Sequence, residues 1–252
     1  VREPGVTHNV VGEIPGDTSE AVVLGCHHDS PFTSPVEDAS GVAVVLELAK
    51  HFAQQPLRRR LIVLLAAGHF YGSIGTRTYI AEHPEVVANT AIEVCIEHIA
   101  REAAEDLSGR LVPTGLPEAS GVFVPLNRGV ADLVLESFRV HDLKRALVLP
   151  AEGPLGRYPP TDGGDWYEAG VPVINCISNP VYLLTNQDGP EWVDRDRLVH
   201  MAGAFKRILR QLDGLTREEI GRVDSRRRLL AMKLLERVTR LRTTHFGRRP
   251  IY

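Results

Sequence analysis

The chain of 252 residues lacks most of the features that would place it in a specialised class at sight. No apolar run approaches the roughly 20 residues that a membrane-spanning helix needs, so no membrane span is expected. No basic excess is present: the formal net charge is −3, which argues against nucleic acid as a partner. Cysteine is scarce. Cys26, Cys95 and Cys176 are odd in number, lie inside apolar strand-like runs and have no zinc-motif spacing, so they read as buried reduced thiols. That usage favours the cytoplasm. The first residue is Val1 rather than Met, which fits removal of an upstream segment or signal. Internal repeats and low-complexity stretches are also missing, which excludes solenoids and arrays.

What remains is an ordinary globular composition, 43% hydrophobic and long enough for a substantial core in one large or two small domains. Strand-like runs occupy residues 6–13, 21–27, 60–67, 91–99, 121–125, 146–150 and 171–178. Helical periodicity lies between several of them. Val42, Leu46 and Ala49 share one face after Asp38; residues 72–88 run into His83-Pro84; residues 130–141 carry Val134, Leu135 and Phe138 on a helical period. This alternation predicts an α/β fold, with a mostly parallel central sheet flanked by helices in three layers. In such sheets ligands bind beyond the carboxyl ends of the strands. The polar, Pro- and Gly-containing stretch 101–118 reads as a loop over that crevice, and 153–165 as a substrate wall.

The densest motif is Gly25-Cys26-His27-His28-Asp29-Ser30, closely followed by Glu37-Asp38-Ala39-Ser40-Gly41. A hydrophobic strand ends in a His-x-Asp pair, and strand alternation puts His27 and Asp29 on one face, with His28 on the other. A carboxylate there can hold an imidazole in the tautomer a metal needs. Asp38 stands at the mouth of an amphipathic helix, where small Ala, Ser and Gly allow close backbone approach.

These motifs, with Asn9-Val10-Val11-Gly12, the apolar strand 61–67, Gly72-Ser73-Ile74-Gly75-Thr76-Arg77 and Ala169-Gly170-Val171-Pro172, resemble the zinc aminopeptidase and glutaminyl cyclase-like family, metallopeptidase family 28. The likeness covers roughly residues 8 to 212. Members typically bind two zinc ions sharing one aspartate. The resemblance implies His27, a bridging Asp38 and Glu97 around the first ion. The Glu-Glu pair that supplies the family's general base and a second-ion ligand falls on His69-Phe70. The late histidine ligand falls on Leu184. Phenylalanine and leucine cannot ligate zinc, so the implied complement is one Zn²⁺ with three protein ligands and an open position.

His69 and Asp29 are then the catalytic candidates, His69 as proton shuttle and Asp29 as the group that orients His27. Asp162 and Tyr182 are the substrate-binding candidates. His98 and Asp162 are the first residues to examine if a further ligand completes the site. The implied activity is zinc-dependent hydrolysis of an amide or peptide bond in a peptide or small amide substrate. The alternatives are a family relative without catalysis that works as a binding or assembly module, and a single-zinc acyl-transfer enzyme of glutaminyl cyclase type.

Beyond residue 212 the family likeness ends, dividing the chain into a domain over 1–212 and a helical extension over 213–252. Thr216-Arg217-Glu218-Glu219 has the form of a capping box. Ile220, Val223, Leu230, Leu234, Val238 and Leu241 follow near one stripe of a basic amphipathic helix. Packing on its own domain or pairing with a second subunit, giving a homo-oligomer, is preferred over contact with an anionic surface.

Overall fold

A computed structural model describes residues 5–152 and 158–223. Strands β1 (Val10–Ile14), β2 (Thr18–His27), β3 (Arg59–Ala66), β4 (Thr90–Ile96), β7 (Ser120–Val124), β8 (Ala146–Pro150) and β9 (Val173–Ser178) form a seven-stranded sheet in the order β1-β3-β2-β4-β9-β7-β8. Its centre, β3-β2-β4-β9, is parallel, whereas β1 joins β3 and β7 joins β9 antiparallel. The central strands read as near-continuous apolar runs because both faces are covered. In β2, Val22, Leu24 and Cys26 enter one core while Ala21 and Val23 enter the other; in β3, Leu61, Val63 and Leu65 oppose Ile62, Leu64 and Ala66.

Helices α1 (Ser40–Gln54), α4 (Arg128–Val140) and α6 (Arg195–Asp213) cover the first face, and α2 (Ile74–Glu82), α3 (Pro84–Asn89) and α5 (Asp162–Glu168) the second. The result is the expected three-layer sandwich.

Several local expectations need correction. The stripe that α1 buries is Val44, Val45, Leu48 and Phe52, while Leu46 faces outward; in α4, Val134 and Phe138 are buried but Leu135 is exposed. The span 72–88 is two helices, because Pro84 cannot continue α2 and instead opens α3. The expected loop 101–118 is a hairpin of β5 (Arg101–Glu105) and β6 (Leu111–Pro117). Its turn is closed by Asp106, whose carboxylate accepts the N–H groups of Ser108 and Arg110, with Gly109 at φ 79°.

The capping box forms as the residues predict: the Thr216 hydroxyl accepts from Glu219 N–H, and the Glu219 carboxylate accepts from Thr216 N–H. The helix it opens, α7 (Arg217–Ile220), ends after one turn at Gly221, whose φ is 109°. This turn docks on its own domain. Arg217 donates to the carbonyls of Ala88 and Thr90, Asn127 donates to that of Glu219, and Ile220 is fully buried in the core of α1, α4 and α6. The rest of the expected stripe, from Leu230 on, lies outside the described residues. Ile220→Ala should therefore lower the unfolding free energy by about 2–5 kcal/mol in urea titration. A change under about 0.5 kcal/mol, the level of a surface substitution, would mean residue 220 is not part of this core.

Candidate metal centre

His27 closes β2, and Glu97 and His98 follow β4, so the sheet brings these three to one carboxyl edge. Opposite them runs the irregular turn Pro35–Ala39 that precedes α1. The Asp188 carboxylate accepts the backbone N–H groups of Val36 and Glu37, at 3.1 Å each, and holds the turn in place. Ser40 adds a staple, donating to Val36 O and accepting from Ile99 N–H, both at 2.9 Å. Gly41 allows the close approach. A Cβ there would stand 2.3 Å from the Ile96 carbonyl and 2.6 Å from an Asp38 carboxylate oxygen.

His27, Glu37, Asp38, Glu97 and His98 converge in this cage, and all are buried. Two trios have ligating atoms mutually within 4.8 Å, His27–Asp38–Glu97 and His27–Glu37–His98. The first is the trio implied by resemblance; Glu37 and His98 of the second were not in it. His27 Nε2 lies 3.0 Å from Glu37 Oε1, and His98 Nε2 lies 2.8 Å from Glu37 Oε2.

The tautomers follow from what each Nδ1 faces. His27 Nδ1 is 2.8 Å from the Asp29 backbone carbonyl, and His98 Nδ1 is 2.8 Å from the Ser178 carbonyl. A carbonyl only accepts, so both Nδ1 atoms carry the proton and each Nε2 of a neutral ring presents a lone pair to the cage. Among the described residues, neither Nε2 meets hydrogen-bond geometry with any acceptor, its contact with Glu37 being an ion-pair approach, and Asp38 Oδ2 and Glu97 Oε2 have no hydrogen-bond partner either. Four orphaned, buried, ligating atoms around one centre are what a metal site shows without its ion.

Charge calls for a cation in the cage, which without an ion is the protonated rings themselves. Burial opposes a charged His27, but the Glu37, Asp38 and Glu97 carboxylates outweigh it and raise the imidazole to about 11. Burial likewise opposes a charged His98, yet the same three carboxylates raise it to about 9. Burial would raise Glu37, whereas its two histidines hold it down at about 2. Burial pushes Asp38 and Glu97 up. The cage holds three carboxylates, whose burial is compensated by imidazolium, by an ion or by protonation of Asp38 and Glu97.

Around the cage, the residues singled out in the sequence take distinct places. The Asp29 carboxylate accepts His69 N–H at 3.1 Å and its Oδ1 stands 3.9 Å from His27 Nδ1, so the backbone carbonyl of Asp29, rather than its side chain, orients His27. Asn9 ties down the loop after β3, accepting from Ala67 N–H and donating to Gly75 O. Gly68 and Gly72, at φ 70° and 81°, flank the short turn that carries His69 and Phe70. The His69 ring stacks on His27 with centroids 4.1 Å apart, and Phe70 meets His27 edge-on at 5.7 Å. Asp162, at the start of α5, approaches His69 Nδ1 at 3.3 Å and accepts from the Thr76 hydroxyl at 2.8 Å. It therefore backs His69 directly. Tyr182 is elsewhere: its ring stacks on Trp192 and its hydroxyl donates to the Arg101 carbonyl, a core role. Leu184 and Phe70 are both partly exposed and apolar. His28 is exposed, with Nε2 on the His8 carbonyl.

Fold and cage together define a metallopeptidase-like α/β sandwich. The chain belongs to peptidase family M28, whose profile matches residues 9–207. Among solved structures it resembles an aminopeptidase from Aneurinibacillus sp. strain AM-1, with a TM-score of 0.62, 20% identity, and coverage of 81% of this chain and 47% of that one. It also resembles BSAP, a zinc aminopeptidase from Bacillus subtilis, with a TM-score of 0.61, 16% identity, and coverage of 81% and 49%. A probable zinc metalloprotease of Pyrenophora tritici-repentis is 29% identical over 100 residues, 36% of this chain and 23% of that protein. The match thus spans less than a quarter of that curated relative and about half of these solved chains.

His27→Ala should abolish divalent-metal uptake in a chelator-competition titration, whereas His28→Ala should leave it unchanged. Equal loss in both variants would contradict the orientation of His27 into the cage. Gly41→Ala should displace the Asp38 carboxylate and destabilise the fold by about 1–3 kcal/mol, an overpacking cost read by thermal unfolding.

Proposed function

We propose that this chain is a metal-dependent hydrolase of a peptide or amide bond and that it works with a single Zn²⁺. The convergence of orphaned, buried Nε2 and carboxylate oxygens on one centre carries the reading. Both ligand trios use His27, and its Nδ1 is committed to Asp29, so only one ion can be held through its Nε2. The nitrogen and oxygen donors suit zinc. Bound there, zinc would polarise the scissile carbonyl and lower the pKa of an attacking water.

The protein's own contribution beyond ligation falls to His69. Its ring lies against His27, next to the cage, and the Asp162 carboxylate faces its Nδ1. With Nδ1–H directed at Asp162, the other nitrogen is left to take a proton from water and return it to the leaving amine. Asp162 is in this account a positioning residue for His69 rather than a substrate contact. Phe70, edge-on to His27, adds an exposed apolar group beside the cage. The three buried free thiols fit a reducing compartment, and we place the protein in the cytoplasm on that ground.

Purified without chelator, the protein should contain one equivalent of zinc by elemental analysis and release amines from a mixed peptide and amide library. His69→Ala should keep the metal and lower kcat by about 10²–10⁴-fold. Zinc uptake with no turnover across the library would favour the alternative, a binding module on a peptidase fold. The variant His69→Glu, Phe70→Glu, Leu184→His should take up a second equivalent. If it folds and still binds one, His69, Phe70 and Leu184 do not border the position of a second ion.

A further inference from the structure

We propose that His98 is a metal ligand, so that the ion is held by His27, Glu37 and His98 rather than by His27, Asp38 and Glu97. This rests on the metal-dependent reading above and specifies which residues carry it.

His98 directly follows Glu97, and in an extended strand two consecutive side chains point to opposite faces. Here both reach the same cage. The reason is backbone conformation: His98 has φ 53°, in the left-handed region that a residue with a Cβ adopts only at a cost. Three hydrogen bonds hold it there. His98 N–H donates to Asp38 Oδ1 at 3.1 Å, the Ser178 hydroxyl donates to His98 O at 2.6 Å, and His98 Nδ1–H donates to Ser178 O at 2.8 Å. Backbone strain and a fixed tautomer together direct one atom, Nε2, into the cage. That atom is buried, meets hydrogen-bond geometry with no acceptor among the described residues, and stands 2.8 Å from Glu37 Oε2 and 3.8 Å from Glu97 Oε2.

The carboxylates differ in how far they are already engaged. Asp38 Oδ1 accepts the His98 N–H, and the same carboxylate is wedged against Gly41. Asp38 thus supports the ligand His98 from behind. Glu97 Oε1 accepts from the Cys95 thiol, leaving Oε2 as an auxiliary donor. Glu37 alone has both oxygens directed at imidazole Nε2 atoms. Two imidazoles and one carboxylate, with remaining positions open to solvent-derived ligands, form a complete set for a divalent transition metal.

Without a metal, the same contacts would be an ion pair between protonated histidines and Glu37, and the experiment must separate the two. Zinc is titrated into the metal-free full chain against a chromophoric chelator, and the zinc K-edge X-ray absorption of the loaded protein counts imidazoles. Two imidazoles are expected in the wild type. His98→Ala should retain one and weaken zinc binding by more than the roughly 10–100-fold typical of a lost supporting group. Glu97→Gln should fall within that range or below it. A wild-type zinc with a single imidazole would overturn the assignment of His98 and leave the metal-dependent function standing. So would a His98→Ala variant of unchanged affinity beside a Glu97→Gln variant that no longer binds. No zinc uptake by the wild type at all would overturn both. The wild-type absorption measurement keeps the test decisive if His98→Ala fails to fold.

Discussion

Three buried carboxylates facing two imidazoles form the constraint on which the rest of this molecule is organised. Acidic groups removed from water must be protonated or matched by a cation, and several neighbouring elements hold the arrangement. Asp188 fixes the turn that carries Glu37 and Asp38, Ser178 fixes His98, and Gly41 lets α1 begin against the cage wall. The parallel sheet supplies the common edge. β2 and β4 are hydrogen-bonded neighbours, so the residues that end them arrive within a few ångströms without any long-range pairing of their own.

The backbone Nδ1 contacts matter more than their modest energies imply. A histidine whose Nδ1 faces a carbonyl can be neutral in one tautomer only, so Asp29 O and Ser178 O decide what the two Nε2 atoms can do. A carboxylate in place of either carbonyl would fix the same tautomer while raising the basicity of Nε2, toward a proton as well as toward a metal. The Asp29 side chain instead serves the loop of His69. One residue thereby positions both His27 and the imidazole stacked on it.

Much of this was legible in the sequence, and the failures have identifiable causes. The central strands are apolar on both faces, so their runs stand out whatever their partners. In α1 the true stripe, Val44, Val45, Leu48 and Phe52, competes with Leu46 on the solvent side, and periodicity alone cannot rank two apolar stripes on one helix. The hairpin over 101–117 depends on an Asp106 side-chain turn, within a segment whose composition resembles a loop. At the site, strand alternation correctly separated His27 from His28. His98 was named only as a residue to examine if a further ligand completes the site, because a left-handed φ at a histidine leaves no mark in a sequence. Glu37 was missed for a related reason: it and Asp38 adjoin in an irregular turn, with φ −101° and −127°, where no periodicity says which carboxylate turns inward.

The replacements at 69 and 70 gain meaning from charge balance. With one divalent ion, three fully ionised cage carboxylates would leave a single net negative charge. Two further carboxylates at 69 and 70, with a second divalent ion, would leave the same. Two glutamates without that ion would instead add two uncompensated anions to an already acidic buried site. Substituting an imidazole and a phenyl ring therefore keeps a one-ion cage electrostatically tolerable. Those two rings also pack directly on His27, at 4.1 and 5.7 Å between centroids. Both rings brace His27. In the proposed one-ion reading, the His69 and Phe70 rings add no anion to the cage, and the physics that calls for a cation beside three buried carboxylates is consistent with the lack of two more at these positions.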